Sequence, residues 1–157
     1  TTIRPAVQVE QLAADNGTAM RLVETIEAEG GAGLLTATRV VSVGMGLAAK
    51  NDLKLIEELA QAARAEMACT LPVCDDMHWL PAACVVGSSH SQVGPELYFA
   101  IGISGQPQHM SGIRDARIVV AVNSDPEARI FKHCSYGIVG DLYKVVPALI
   151  SEFNKAG

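Results

Sequence analysis

The most constraining feature of the sequence is a pair of strand-like runs, residues 97–103 and 117–122, on either side of a glycine-rich turn. Both runs are short, apolar and rich in β-branched or aromatic side chains, which is typical of buried strands. The first run stops at Gly102 and Gly105, and the second ends in the sequence Asn-Ser-Asp-Pro at 123–126. Such runs predict parallel strands that are buried on both faces by helices, in an α/β fold.

Both runs lead into polar loops that can hold a ligand. Parallel sheets bind their ligands in the crevice at the carboxyl ends of the strands, so this edge predicts a site for a nucleotide-type ligand. A second interpretation stays open on this stretch alone. Gly102 and Gly105 can simply relieve a tight connection, and His109 can simply cap or pack.

The composition narrows the class of protein. A chain of 157 residues with 49% hydrophobic and 4% aromatic side chains suits a single α/β domain better than a β-sandwich. The net charge is −5 and no basic run occurs, which disfavours binding to nucleic acid or to an anionic membrane. No apolar run reaches the roughly 18 residues of a membrane span, and the N-terminus lacks a signal pattern. We therefore expect no direct membrane insertion and a cytoplasmic or matrix-like location.

The cysteines and histidines do not predict a metal site. The cysteines show no C-x-x-C pair, and we interpret all four as reduced thiols: Cys69, Cys74, Cys84 and Cys134. His133 is next to Cys134, but adjacent residues of a strand point to opposite faces and are poorly placed to share one ion. The missing ligand spacing argues against bound metal.

A second glycine turn follows the first predicted strand, residues 38–43. Gly44 and Gly46 lie between this strand and a helix that Asn51 or Asp52 can cap. Unpaired amides at such a turn could cradle a phosphate. The third glycine of a dinucleotide fingerprint is missing, so a plain connection between strand and helix is also open.

Short apolar pieces at 130–133 and 136–139 lie on either side of a turn. Two further short strands are predicted at 67–70 and 84–86, separated by a turn at Pro72 and an irregular loop at 75–81. The second of these precedes a loop of hydroxyl side chains at 87–91, which could hydrogen-bond a ligand. Asp141 stands at the N-cap of the last helix, where its carboxylate either satisfies helix amides or turns to a ligand.

Taken together, the motifs resemble the C-terminal, FAD-binding domain of the electron transfer flavoprotein alpha subunit, from about 35 to 150. The resemblance rests on VVSVGMGL at 40–47, DDMHWLP at 75–81, PELYFAIGISGQPQH at 95–109, AVNSDPEARIF at 121–131 and YGIVGDLYKVVP at 136–147. It implies a doubly wound parallel sheet, Rossmann-like, with helices on both faces. We expect residues 35–157 to form the FAD-binding domain. Residues 1–34 would be a linker or the remnant of a missing N-terminal domain. The chain would then be either an excised domain or a stand-alone relative of the family.

The resemblance also implies a function. Its FAD would carry single electrons from a flavin dehydrogenase to an acceptor, in a heterodimer with an electron transfer flavoprotein beta-type subunit. Such a protein is an electron carrier rather than a substrate-converting enzyme. The alternative is a nucleotide-binding or structural partner module that has lost normal FAD redox function. A flavin enzyme with its own substrate is disfavoured, since no acid/base constellation is evident.

The resemblance assigns roles to individual residues. His109 matches the histidine near the flavin C2 carbonyl, where a positive or donating imidazole favours the negative charge of a reduced ring. Ser104 and Gly105 lie in the turn near the phosphates and ribityl chain. Four residues surround the adenosine half: Asn123, Asp125, Asp141 and Leu142. The remaining cofactor-binding residues are Gly44, Gly46, Thr70, Ser88, Ser89 and Gln108.

The sequence also departs from the family pattern. Met45 and Leu71 stand where the family has arginines beside the FAD, and His90 replaces the glycine that closes the serine loop. An arginine supplies a fixed charge and several donors that methionine and leucine lack.

Overall fold

The structure, a computed structural model, describes residues 33–156. The predicted N-terminal segment 1–34 therefore lies outside the described residues except for its last two positions. The described strands and helices are β1 (Arg39–Val43), α1 (Leu53–Ala63), β2 (Glu66–Cys69), α2 (Leu71–Asp75), β3 (Leu97–Ile101), α3 (Pro107–Gly112), β4 (Ile118–Asn123), β5 (Tyr136–Val139) and α4 (Leu142–Ala156). Short 3₁₀ turns occur at Leu34–Thr36, Lys50–Asp52, Ala82–Cys84 and Arg129–Lys132.

The five strands form one parallel sheet in the order β2-β1-β3-β4-β5. The chain runs outward from β1 to β2 and then returns past β1 to β3. The direction of winding thus reverses between β1 and β3, and such a switch point opens a crevice at the carboxyl edge of the sheet. The prediction of a parallel α/β sheet is confirmed.

Helices cover both faces of the sheet, as predicted. On one face, the apolar stripe of α1 packs with α4 against β1 and β3, where Ile56 and Leu59 are fully buried. Each such side chain contributes about 2–3 kcal/mol of hydrophobic stabilisation. On the other face, α3 and the neighbouring turns cover a second cluster that includes Tyr98, Ile113 and Ile130. Among residues 33–156, this second face has only one short helix, α3, and otherwise depends on loops.

Two local predictions are wrong. Residues 84–86 do not form a strand: a 3₁₀ turn ends at Cys84, and Val85 and Val86 then make single bridges to Cys69 and Ser91. The loop that begins at Gly87 turns the chain away before a ladder can form. Residues 71–75, predicted as a turn and loop, form the short helix α2, because Pro72 fits a first helical turn that needs no amide donor.

None of the helices within residues 33–156 is long and apolar enough to cross a membrane. All four cysteines are free thiols.

Candidate functional site

A cavity of about 570 Å³ opens at the carboxyl edge of the sheet. Its walls come from the segments that follow β1, β2 and β3, together with residues 85–89, α3 and the end of β4. It therefore lies at the switch point between β1 and β3, where the topology predicts a ligand.

Glycines close the floor of this cavity by bringing two backbones together. The amide of Gly44 donates to the carbonyl of Ile101 (2.9 Å), and that of Gly46 donates to the carbonyl of Gly102 (3.1 Å). A Cβ atom at Gly46 would lie 2.6 Å from the Cα of Gly102, and Gly102 itself has a φ of +62°. The glycines are thus needed for the packing of one turn on the other, before any ligand is considered.

The turn after β3 contains two successive amides that lack a protein partner among the described residues. Its carbonyls are engaged: that of Ile103 accepts from Asn123 Nδ2 (2.9 Å) and that of Ser104 accepts from the Ile130 amide (3.1 Å). The amides of Ile103 and Ser104 form no hydrogen bond to a partner within residues 33–156. Successive unpaired amides of this kind attract anions.

Gly105 holds this turn without lining the cavity. Its φ is +83°, and an added Cβ would lie 2.4 Å from the backbone nitrogen of Ile130. In this structure, position 105 requires glycine because of its packing against Ile130. Of the two predicted residues in this turn, Ser104 lines the cavity and Gly105 does not.

His109 is buried in the wall of the cavity and is 6% exposed. Its Nδ1 lies 3.0 Å from the carbonyl oxygen of Val86, and its Nε2 lies 3.1 Å from the hydroxyl of Tyr98. A carbonyl only accepts, so Nδ1 carries the proton and Nε2 accepts from Tyr98. Burial lowers the pKa of His109 from 6.5 to about 4, against a smaller opposing effect of the Val86 carbonyl. The imidazole is therefore neutral at pH 7.

This arrangement changes the role predicted for His109. Both ring nitrogens are engaged with protein groups, so the ring presents neither a free N–H nor a positive charge to the cavity. Burial also raises the pKa of Tyr98, which stays a neutral hydroxyl. The hydroxyl of Ser42 is fully buried near the Tyr98 hydroxyl and has no hydrogen-bond partner among the described residues.

The remaining polar side chains of the cavity are neutral hydroxyls and amides. The Ser88 amide donates to the carbonyl of Gln108 (2.9 Å) and fixes the serine loop to α3, while Ser89 Oγ lies 3.0 Å from Nδ1 of His90. The predicted residues that line the cavity are Gly44, Gly46, Thr70, Ser88, Ser89, Ser104, Gln108, His109 and Asn123.

Besides Gly105, three predicted residues lie outside the cavity. Asp125 Oδ1 accepts from the Glu127 amide (2.9 Å) within its own loop. Asp141 Oδ1 accepts from the Tyr143 amide (2.9 Å), so it caps α4 as one of its two predicted roles requires. Leu142 is buried against the sheet.

A clamp that the sequence analysis missed holds the loop after β1. The Ala48 amide donates to the Tyr143 hydroxyl (2.8 Å), which donates to Asp52 Oδ2 (2.5 Å). The same carboxylate oxygen accepts from the Ala49 amide (3.1 Å) and makes no cap bond to α1, contrary to the predicted cap. No local pattern indicates this clamp, because Asp52 and Tyr143 are 91 residues apart.

A second cavity, of about 580 Å³, lies at the amino edge of the sheet. Four charged residues line it: Arg39, Glu57, Arg64 and Glu66. It holds no residue predicted to bind a ligand. Within residues 33–156, no group of three or more His, Cys, Asp or Glu side chains could hold a metal ion.

Residues 33–114, just over half of the chain, match the family described as the electron transfer flavoprotein FAD-binding domain. YdiR of Escherichia coli (strain K12), named as an electron transfer flavoprotein subunit, is 47% identical over 78% of this chain and 39% of its own length. Protein FixB of E. coli O139:H28 is 46% identical over 73% of this chain and 37% of its own length. The chain thus spans less than two fifths of the length of either relative.

A solved structure described as a thiamin diphosphate-dependent enzyme from Mycobacterium smegmatis covers 75% of this chain and 25% of its own. The two share 12% sequence identity with a TM-score of 0.45, too low to inform the site.

Proposed function

The chain belongs to the electron transfer flavoprotein alpha family, through the FAD-binding domain of that family, and on that premise we propose that it binds FAD and passes single electrons between a flavin dehydrogenase and an acceptor. The proposed unit is residues 35–157, paired with a beta-type subunit, in the cytoplasm. The similarity to YdiR, which is named as a flavoprotein subunit, supports this proposal, and the location of the cavity carries it.

The residues present fit the cofactor. The cavity lies where parallel sheets bind nucleotides, and its volume is in the range of cofactor sites. The unpaired amides of Ile103 and Ser104 suit a phosphate. Apolar walls at Val85 and Ile103 suit an aromatic ring, while hydroxyls offer neutral hydrogen bonds. No single one of these features is specific to FAD, and their combination at one switch point supports it.

Bound FAD would supply the one-electron chemistry, and the chain would bind and orient it. We propose that the turn at Ser104 holds phosphate and that Ser88, Ser89 and Thr70 donate to polar atoms of the cofactor. His109 and Gln108 would form the wall beside the ring. An extended dinucleotide would leave the cavity past Asn123 and reach Asp125, Asp141 and Leu142 for its adenosine half.

Titration of the purified 157-residue chain with oxidised FAD tests the proposal, with flavin absorbance and fluorescence as readouts. We expect saturable binding with one site per chain. Gly44→Ala should weaken it, because the added Cβ would lie 2.4 Å from the Gly102 carbonyl oxygen and displace the floor of the cavity. Gly33→Ala, at the opposite edge, is the matched control and should bind as wild type.

A nucleotide-binding or structural module is the second candidate. It is favoured by one observation: Met45 and Leu71, at the cavity mouth, supply no cation for the diphosphate. A competition experiment between FAD and ADP for the cavity distinguishes the two functions. A carrier prefers FAD to ADP and shows a bound flavin spectrum, whereas a module binds ADP at least as tightly and takes up no flavin.

A further inference from the structure

The side chains that line the cavity at the carboxyl edge carry no formal charge; the Arg129 guanidinium lies outside the lining, with Nη1 3.4 Å from Oε1 of the lining residue Gln106. Within residues 33–156, no lysine, arginine, aspartate or glutamate lines the cavity. Its mouth carries two exposed apolar side chains, Met45 (56% exposed) and Leu71 (37% exposed). The polar groups inside are hydroxyls, carboxamides, backbone amides and one imidazole.

The imidazole does not supply a charge either. His109 donates from Nδ1 to Val86 and accepts at Nε2 from Tyr98, and burial holds its pKa near 4. A proton at Nε2 would face the Tyr98 hydroxyl inside the apolar core. Burial keeps the ring neutral throughout the physiological pH range, and the two bonds leave neither ring nitrogen free.

An uncharged cavity treats the two redox states of FAD differently. Full reduction adds two electrons and one proton, at N5, and leaves the ring with a negative charge at neutral pH. A fixed cation near the ring stabilises this charge, and neutral donors do so much less strongly. Transfer of the negatively charged reduced ring from water into the cavity therefore costs free energy of desolvation that no lining cation offsets.

We propose that the cavity of this chain selects FAD by redox state and binds the oxidised cofactor more tightly than the reduced cofactor. The proposal rests on FAD binding, the function proposed above, and assigns the preference to the missing charge around Met45, Leu71 and His109. Bound FAD then has a lower midpoint potential than free FAD, which makes it a stronger reductant.

The test is a pair of titrations of the 157-residue chain, one with oxidised FAD and one under anaerobic conditions with FAD reduced by dithionite, which supplies the two electrons. We expect the dissociation constant of reduced FAD to exceed that of oxidised FAD by about tenfold. For a two-electron couple this ratio corresponds to a midpoint potential about 30 mV below that of free FAD. Spectroelectrochemistry on the saturated complex measures the same shift independently.

Variants at the mouth of the cavity test whether the missing charge causes the preference for oxidised FAD. Met45→Arg should bring the two dissociation constants close together, and Met45→Gln, which changes polarity without charge, should keep the wild-type ratio. Leu71→Arg repeats the test at a second position. Leu35→Arg adds the same charge at an exposed position that lines neither cavity, and should leave the ratio unchanged.

The outcomes separate this proposal from the function on which it rests. If oxidised FAD binds and reduced FAD binds equally or more tightly, the redox preference is refuted and FAD binding stands. If both arginine variants keep the wild-type ratio, the missing charge is not its cause and the assignment is refuted. If neither form of FAD binds, both proposals fail.

Discussion

The two edges of the sheet carry cavities of nearly equal volume, about 570 Å³ at the carboxyl edge and about 580 Å³ at the amino edge, and opposite chemistry. The amino-edge cavity is lined by two arginines and two glutamates, whereas no charged side chain of the described residues lines the carboxyl-edge cavity. Volume does not distinguish the two edges, and the two arginines and two glutamates of the amino edge balance each other in formal charge.

One of the charged residues at the amino edge, Arg39, stabilises the fold. Arg39 Nη1 donates to the carbonyl of Ala63 (2.9 Å) and so satisfies the end of α1. At the carboxyl edge, glycines let two turns pack closely, and the amides of Ile103 and Ser104 have no hydrogen-bond partner among the described residues. The prediction of a ligand at this edge therefore rests on strand direction rather than on cavity size or charge.

The largest difference between the two edges should appear in the stability of two glycine variants, one at each edge. Gly105→Ala adds a Cβ 2.4 Å from a backbone nitrogen at a positive φ, and should destabilise the protein by about 3 kcal/mol. Gly33→Ala meets only the end of the exposed Glu66 side chain, and should change stability by less than about 0.5 kcal/mol. Urea unfolding of both variants measures the difference, and equal midpoints would contradict it.

The second effect should come from His109 as the pH falls. The pKa is about 4 in the folded protein and 6.5 in the unfolded chain, so between these values the unfolded chain binds the extra proton. The contribution of neutral His109 to the free energy of unfolding is fully present above pH 6.5. It falls by about 3 kcal/mol as the pH is lowered towards 4.

Unfolding free energies measured between pH 7 and pH 4 test this prediction. His109→Gln should lose most of the dependence in this window, while His133→Gln, at an exposed turn, should keep the wild-type profile. A wild-type slope retained in His109→Gln would assign the effect to other groups.

A smaller effect should come from the helix caps, one at each edge. Asp141→Ala removes the acceptor for the Tyr143 amide and should cost about 1 kcal/mol, while Asp141→Asn should retain most of the stability. Arg39→Ala should cost a similar amount by exposing the end of α1.

The same Asp141→Asn variant tests the second role predicted for this residue. If Asp141 acts only as a cap, the FAD affinity stays unchanged in Asp141→Asn. A large loss of affinity would show that the carboxylate contacts the cofactor.

The smallest effect should come from Ser42, the buried hydroxyl near the Tyr98 hydroxyl. Because it has no hydrogen bond of acceptable geometry among the described residues, Ser42→Ala removes an unsatisfied polar group. Stability should change by less than about 1 kcal/mol and should not fall below wild type. Thermal unfolding resolves this, and a clear loss would reveal a bond to the Tyr98 hydroxyl.

The fold was predictable because its signals are local. Continuous apolar runs at 97–103 and 117–122 indicate buried strands whatever surrounds them, and the stripe of α1 indicates a helix on a sheet. The prediction of which edge binds a ligand follows from strand direction alone. By contrast, residues 84–86 have the composition of a strand, but the turn at Gly87 prevents pairing, and this depends on tertiary position.

The chemistry of the site was only partly predictable. Glycine at position 105 is identifiable from sequence, but its reason, contact with Ile130, depends on a chain segment 25 residues away. The neutral state of His109 depends on its burial, which arises only when α3 docks on the sheet and the ring nitrogens meet Val86 and Tyr98. A motif assigns a histidine to a site without specifying the protons that it carries there.

The clamp of Ala48, Asp52 and Tyr143 also bears on the order of folding. It joins the loop after the first strand to the last helix across 91 to 95 residues, so its formation requires closure of a loop that spans most of the described chain. We expect the cavity wall at Met45 to mature only after α4 has docked. A chain in which α4 has not yet docked would then hold a nearly complete sheet and an unfinished cavity.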